Sequence, residues 1–135
     1  MDLDRKLADF EKALLRLKEA YQKTIENTDS YNYTFFRDST IQRFEFTVEI
    51  MWKTVKSFLI KQEGIECRSP KSCIKDLFSA GYLDSEKTAI LLEMIDDRNL
   101  TSHTYHEEVS EKIFGDLRSY IPVLEYIYKI IEENV

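Results

Sequence analysis

The sequence predicts an all-α protein, an up-and-down bundle of four to five helices. Three observations carry that expectation. Only three Gly and two Pro occur in 135 residues, too few turn formers for an all-β protein of this length. Apolar residues recur at spacings of three and four, the period of one helix face rather than the alternation of a strand. Cap and breaker residues divide these stretches into long segments with few loops between them. The length suits one domain, residues 1–135, built round one core.

Taken in order, the first helix is expected over about 3–27. Leu3, Leu7, Phe10, Leu14, Leu17 and Tyr21 form a single stripe. The polar cluster Asn27-Thr28-Asp29-Ser30 ends it. Residues 31–36, Tyr-Asn-Tyr-Thr-Phe-Phe, alternate like a strand but have no partner strand. They read as a connecting loop whose aromatics lean on the bundle. A base-stacking platform is the lesser alternative, because no basic frame surrounds it.

Ser39-Thr40-Ile41-Gln42 fits a capping box for the second helix, with a start one turn earlier also open. Ile41, Phe44, Val48, Met51, Val55 and Phe58 make its stripe. Phe46, Ile50, Trp52 and Leu59 widen the apolar surface, which calls for several neighbours or a second subunit. Gly64 closes the helix. Ser69-Pro70 opens a short helix over 70 to about 80, with Gly81 as its left-handed stop. Asp84-Ser85 starts a helix that runs to about 99. The last helix is expected from near Thr104, where Thr104-x-x-Glu107 fits a second capping box. Its stripe is Val109, Ile113, Leu117, Tyr120, Leu124, Tyr128 and Ile131, and Pro122 inside it predicts a kink. No repeat, linker or low-complexity stretch is visible.

Charge and composition narrow the function classes. A net charge of −6 argues against bulk affinity for nucleic acid. Locally, Lys53, Lys56, Lys61, Arg68, Lys71 and Lys75 face only Glu63 and Glu66, a surplus of +4. That stretch reads first as a solvated face and second as a surface for RNA or an acidic partner. No apolar run approaches the roughly 20 residues that span a bilayer. Met1 to Lys6 lacks a signal-peptide core. A cytoplasmic protein without membrane contact is expected. Cys67 and Cys73 have no further ligands at metal-site spacing, and in a reducing cytosol both read as free thiols. Neither a metal nor a cofactor is expected.

The segment Arg98-Asn99-Leu100-Thr101-Ser102-His103-Thr104-Tyr105 stands out. On a wheel of about 100° per residue, Leu91, Met94, Ile95 and Arg98 share one side, and Glu93, Asp96 and Asp97 the other. Arg98 thus extends the apolar stripe and needs a carboxylate, a carbonyl or a ligand. His103 lies about 140° round from Arg98 in an unbroken helix. The break predicted at Thr104, or a two-fold interface, would bring them together. Arginine can hold a phosphate bidentately and histidine can move a proton near neutral pH. Tyr105 adds a hydroxyl that can be modified or bond phosphate. The bland alternative pairs Arg98 with Glu45 or another carboxylate and leaves His103 as a turn residue.

Arg98-Asn99-x-x-x-His103-x-Tyr105 resembles the R-x4-6-H motif of HEPN domains, with a polar residue after the arginine. The fuller form, with its tyrosine, resembles HepT-type toxins, which are paired with a minimal nucleotidyltransferase antitoxin. The stretch from Arg37-Asp38-Ser39-Thr40 through Trp52-Lys53 is similar to the second helix of the nucleotidyltransferase substrate-binding group of that family. The likeness covers nearly the whole chain. It implies a HEPN-like homodimer in which Arg98 and His103 of both subunits line one cleft. In active members the cleft is a metal-independent ribonuclease. There, His103 would shuttle the proton of a 2′-hydroxyl, Arg98 would hold the phosphate, and Asn99 would orient the pair. Tyr105 aligns with the tyrosine that the partner nucleotidyltransferase modifies with AMP. The alternative is a non-catalytic subunit that binds a nucleotide or other substrate for that partner.

Overall fold

The computed structural model describes residues 2–135. Five helices follow one another: α1 Asp2–Ile25, α2 Tyr33–Glu63, α3 Pro70–Ser79, α4 Ser85–Asn99 and α5 Glu107–Glu133. A 3₁₀ turn, Leu100–His103, joins α4 to α5. Among the described residues there is no strand. The expected all-α, up-and-down architecture is what forms. None of these helices is long and apolar enough to cross a membrane.

Helix α1 buries Leu3, Leu7, Phe10, Leu14 and Leu17, the stripe its spacing predicts. Each such side chain contributes about 1.5–3 kcal/mol on leaving water. The seam between α1 and α2 has a second component. Thr40, Thr47 and Thr54 recur every seven residues and are fully buried. Their hydroxyls donate back to the carbonyls of Phe36, Arg43 and Ile50, at 2.7–2.8 Å. Thr40 also meets the Thr24 hydroxyl at 2.9 Å, while Thr47 and Thr54 reach the Ala13 and Lys6 carbonyls at 3.3 and 3.4 Å. Small, self-satisfied hydroxyls let the two backbones approach without leaving an orphaned polar group. The order of these contacts shows α1 and α2 antiparallel.

Helix α5 runs antiparallel to α1, with Glu125 opposite Lys18 and Tyr128 opposite Glu11. It runs alongside α2, where Phe44 stacks on Tyr120 at 5.9 Å. Helix α4 closes the bundle against α5. The short α3 is braced on α4 by Lys71 and Asp96, 2.6 Å apart.

Three local expectations are corrected. Residues 33–36 are not loop: α2 begins at Tyr33, six residues before Ser39, so Ser39 and Thr40 lie inside the helix. Asn32 makes no side-chain cap there. The start is held instead by tertiary contacts, because Tyr33 donates to Glu111 at 2.7 Å and Arg37 is gripped by α5. Likewise α5 starts at Glu107 behind His106, not at a Thr104 cap. The Thr104 hydroxyl donates to the Thr101 carbonyl instead, at 3.2 Å. Finally, Cys67 and Cys73 are not free thiols but a disulfide clipping the α2–α3 loop to the first turn of α3.

The other caps match the sequence. Ser69 accepts from the Ser72 N–H with Pro70 at the first helical position, and Asp84 accepts from the Lys87 N–H at 2.7 Å. Gly64 and Gly81 adopt φ of +67° and +94°, where a Cβ is disfavoured. Pro122 lies within a continuous α5, on its exposed side.

Candidate functional site

The site forms where α4 runs out. Asn99 is the last residue of α4, and the chain tightens into the 3₁₀ turn. Short polar side chains satisfy the carbonyls freed there. The Thr101 hydroxyl donates to the Arg98 carbonyl at 2.7 Å, and buried Ser110 of α5 donates to the Thr104 carbonyl at 2.9 Å. The predicted break is therefore present, made by threonine and serine hydroxyls rather than by a capping box.

A helical wheel puts Arg98 inside and Asp97 outside, and the structure overturns the second placement. Asp97 is almost wholly buried, accepting from the Tyr120 hydroxyl and the Lys112 ammonium at 2.6 Å each. Lys112 also bonds Asp116, at 2.9 Å. Burial pushes the Asp97 carboxyl above its ordinary value, with Asp116 adding to this and Lys112 and Tyr120 opposing it. The wheel misplaces Asp97 because α4 is covered by α5 as well as by α2 and α3. Toward α5, Asp97 meets Tyr120 and Lys112.

Arg98 leans toward α2 and keeps one-third of its side chain exposed. Its guanidinium lies 4.0 Å from Glu45 and 3.9 Å from Glu49. Both separations exceed hydrogen-bond length. The bland alternative paired Arg98 with Glu45, and the guanidinium does lie in ion-pair range of Glu45, though without a hydrogen bond. Glu49 is shared with Lys53, 3.3 Å away. Within the basic stretch, Lys53 and Lys71 are thus neutralised by carboxylates, whereas Lys56, Lys61, Arg68 and Lys75 have no ion pair among the described residues.

His103 and Tyr105 are both exposed, with ring centroids 6.1 Å apart. No hydrogen bond or ion pair among the described residues joins Arg98 to His103. Asn99 is exposed beside them. The sequence motif leaves out His106, whose ring lies 4.3 Å from that of Tyr105. The signal was available: the chain has two histidines, and both fall in this loop.

Arg37 fixes the far side of the loop. It is buried at 1% exposure and is held by Glu107, Glu111 and Asp38. Glu107 receives two parallel bonds, of 2.8 and 3.0 Å. The hydrogen bond from Arg37 holds the Glu107 carboxyl below its ordinary range. The residue directly after His106 is thereby tied to the start of α2.

Fold and site together define a helical bundle that presents an arginine, two imidazoles and a phenol at one inter-helix turn. Residues 5–133 match the family described as nucleotidyltransferase substrate binding protein like, and the chain belongs to that family. A crystal structure of a Thermus thermophilus protein superposes with a TM-score of 0.81 at 37% identity, covering 90% of this chain and 98% of that one. The tri-AMPylated HEPN toxin of Shewanella oneidensis, in complex with MNT antitoxin, superposes at 0.68 with 13% identity, covering 97% and 96%. At that identity the likeness speaks for a shared HEPN fold. No curated protein matches the chain significantly.

Proposed function

We propose that this chain is a cytoplasmic HEPN ribonuclease toxin that needs no metal and is silenced by a cognate minimal nucleotidyltransferase. The observation that carries this reading is that the motif side chains make no hydrogen bonds among the described residues, Arg98 holding only loose ion pairs with Glu45 and Glu49. The Arg98 guanidinium makes no hydrogen bond among the described residues, and His103 and Tyr105 stand exposed on a turn braced from beneath. Buried charges that serve only the fold are hydrogen-bonded to their partners, as Arg37 is. A site meant for phosphate keeps its donors open.

In the proposed reaction the 2′-hydroxyl of an RNA attacks the adjacent phosphate. His103 takes the hydroxyl proton, Arg98 holds the phosphate and offsets its growing charge, and Asn99 orients the two. Arg98 and His103 of two subunits share one cleft in a homodimer. Tyr105 is the acceptor of AMP from the partner. The residue is 75% exposed, as a modified side chain requires. The Shewanella toxin, AMPylated and bound by MNT antitoxin, has the same fold.

Purified protein should cleave single-stranded RNA in the presence of chelator, and His103→Ala should abolish cleavage with the fold intact. RNA left whole at micromolar protein would refute the toxin reading. One observation favours a second reading, a subunit that only binds a nucleotide for the transferase. Glu45 and Glu49 flank Arg98 and oppose a long polyanion. Calorimetry with AMP and ATP, on wild type and Arg98→Ala, tests it.

A further inference from the structure

Cleavage by 2′-hydroxyl attack needs two proton transfers. One group must accept the hydroxyl proton, and one must supply a proton to the departing 5′-oxygen. His103 as sole shuttle performs only one of these in a single step. The loop holds a second imidazole. His106 lies three residues after His103, and its backbone N–H bonds the His103 carbonyl at 3.1 Å, which closes the turn between them. The Tyr105 ring neighbours both, 6.1 Å from His103 and 4.3 Å from His106. Neither imidazole donates or accepts a side-chain hydrogen bond among the described residues.

The placement of His106 is fixed by backbone rather than by its ring. Its carbonyl accepts from Val109 and Ser110 at the start of α5, at 3.1 and 3.2 Å. Glu107 beside it is clamped by Arg37. The nearest charge to the ring is Glu108 on the adjoining helix, 3.9 Å from Nδ1 and beyond hydrogen-bond reach. The side chain is about half exposed. A backbone held in place beneath a ring left open suits a group that meets substrate.

We propose that His106 is a catalytic residue, the general acid that protonates the leaving 5′-oxygen, opposite His103 as the general base. This rests on the ribonuclease reading. In the step, the 2′-oxygen to phosphorus bond forms as the phosphorus to 5′-oxygen bond breaks. The 2′-hydroxyl proton passes to His103, and the 5′-oxygen takes a proton from His106. The products are a 2′,3′-cyclic phosphate and a 5′-hydroxyl, with no net change in protons.

The test compares ordinary RNA with RNA carrying sulfur in place of the bridging 5′-oxygen at one linkage. A thiolate departs without needing a proton. His106→Ala is expected to lose about 100-fold on ordinary RNA and to cleave the sulfur-bridged linkage near the wild-type rate. It should also lose one limb of the wild-type pH–rate profile. His103→Ala should be inactive on both. If wild type cleaves and His106→Ala matches it, or is impaired equally on both substrates, the assignment to His106 is overturned and the ribonuclease reading stands. If wild type cleaves neither RNA, the ribonuclease reading itself falls and takes this assignment with it.

Discussion

Arg37 reaches Glu107 across 70 positions of sequence with two parallel hydrogen bonds, and so fastens the start of α2 to the start of α5. The loop that carries the motif ends one residue before that fastening. The guanidinium is enclosed while its carboxylate partners keep much of their surface in water. Removing the arginine therefore lets the carboxylates re-solvate, and the cost falls below that of breaking a fully buried pair. Arg37→Ala should destabilise the fold by about 2–3 kcal/mol, read as a lowered urea midpoint.

Glu107 gives this clamp a pH signature. Its carboxyl titrates below the ordinary carboxylate range because Arg37 bonds it. A depressed acid contributes stability that is present above its unfolded value, near 4.5, and is lost as pH falls through the folded value. Thermal melts from pH 7 to 3 should show wild type losing more stability than Glu107→Gln across the acid end. Parallel curves for the two would sink the assignment.

At the other end of the range the tyrosines set the slope. Burial and the Glu111 bond push Tyr33 up to about 12, and burial and Asp97 drive Tyr120 higher still. A raised acid stabilises the fold below its unfolded value, near 10, and that contribution fades as pH climbs toward the folded value. Phenolate absorbance in the native protein should lag that of the urea-unfolded chain between pH 10 and 12. Tyr33→Phe should reduce the lag.

The Asp97 network is expected to be non-additive. Asp97→Ala strands the Tyr120 hydroxyl in the core, at a cost of about 2–3 kcal/mol. Tyr120→Phe alone should cost less, and adding it to Asp97→Ala should cost little more. A double-mutant cycle that sums to additivity would show the contact to be incidental.

Arg98→Ala and His103→Ala, by contrast, should leave stability within about 0.5 kcal/mol of wild type. Neither side chain makes a hydrogen bond among the described residues. A fall in melting temperature comparable to that of Arg37→Ala would mean that these residues serve the fold.

The disulfide closes a ring of six residues' separation. Chain-entropy arguments give such a short loop about 2 kcal/mol. Melts with and without reductant should differ by that order, and Cys73→Ser should abolish the difference.

What the sequence disclosed divides along physical lines. Signals written within one turn read through: the α1 stripe, the Ser69 and Asp84 caps, the positive-φ glycines. The start of α2 did not, because Asn32 supplies no cap and the holding contacts come from Glu107 and Glu111, some 70 residues on. Thr104 matched a capping box by type and spacing, yet its hydroxyl had a nearer carbonyl in Thr101. Asp97 is buried against the wheel's reading because a wheel presumes one buried side, and α4 packs on α2, α3 and α5. Arg98, Asn99, His103 and Tyr105 fall at one inter-helix turn, but no hydrogen bond or ion pair among the described residues joins Arg98 to His103. His106 lies outside the motif, and only the pairing of both histidines in one loop points to it.

The threonine seam carries a consequence for how the bundle finds its alignment. Its rungs on α2 stand at 40, 47 and 54, and the groups they meet on α1 lie near 24, 13 and 6. Seven residues on α2 are about two helical turns, and the partners on α1 are spaced by eleven and then seven residues. A slide by one rung would carry Thr40 and Thr47 onto Ala13 and Lys6 but would break the Thr24–Thr40 hydroxyl pair, the one rung made by two side chains. The carbonyl rungs repeat like marks on a ruler, and the hydroxyl pair at the end supplies its zero.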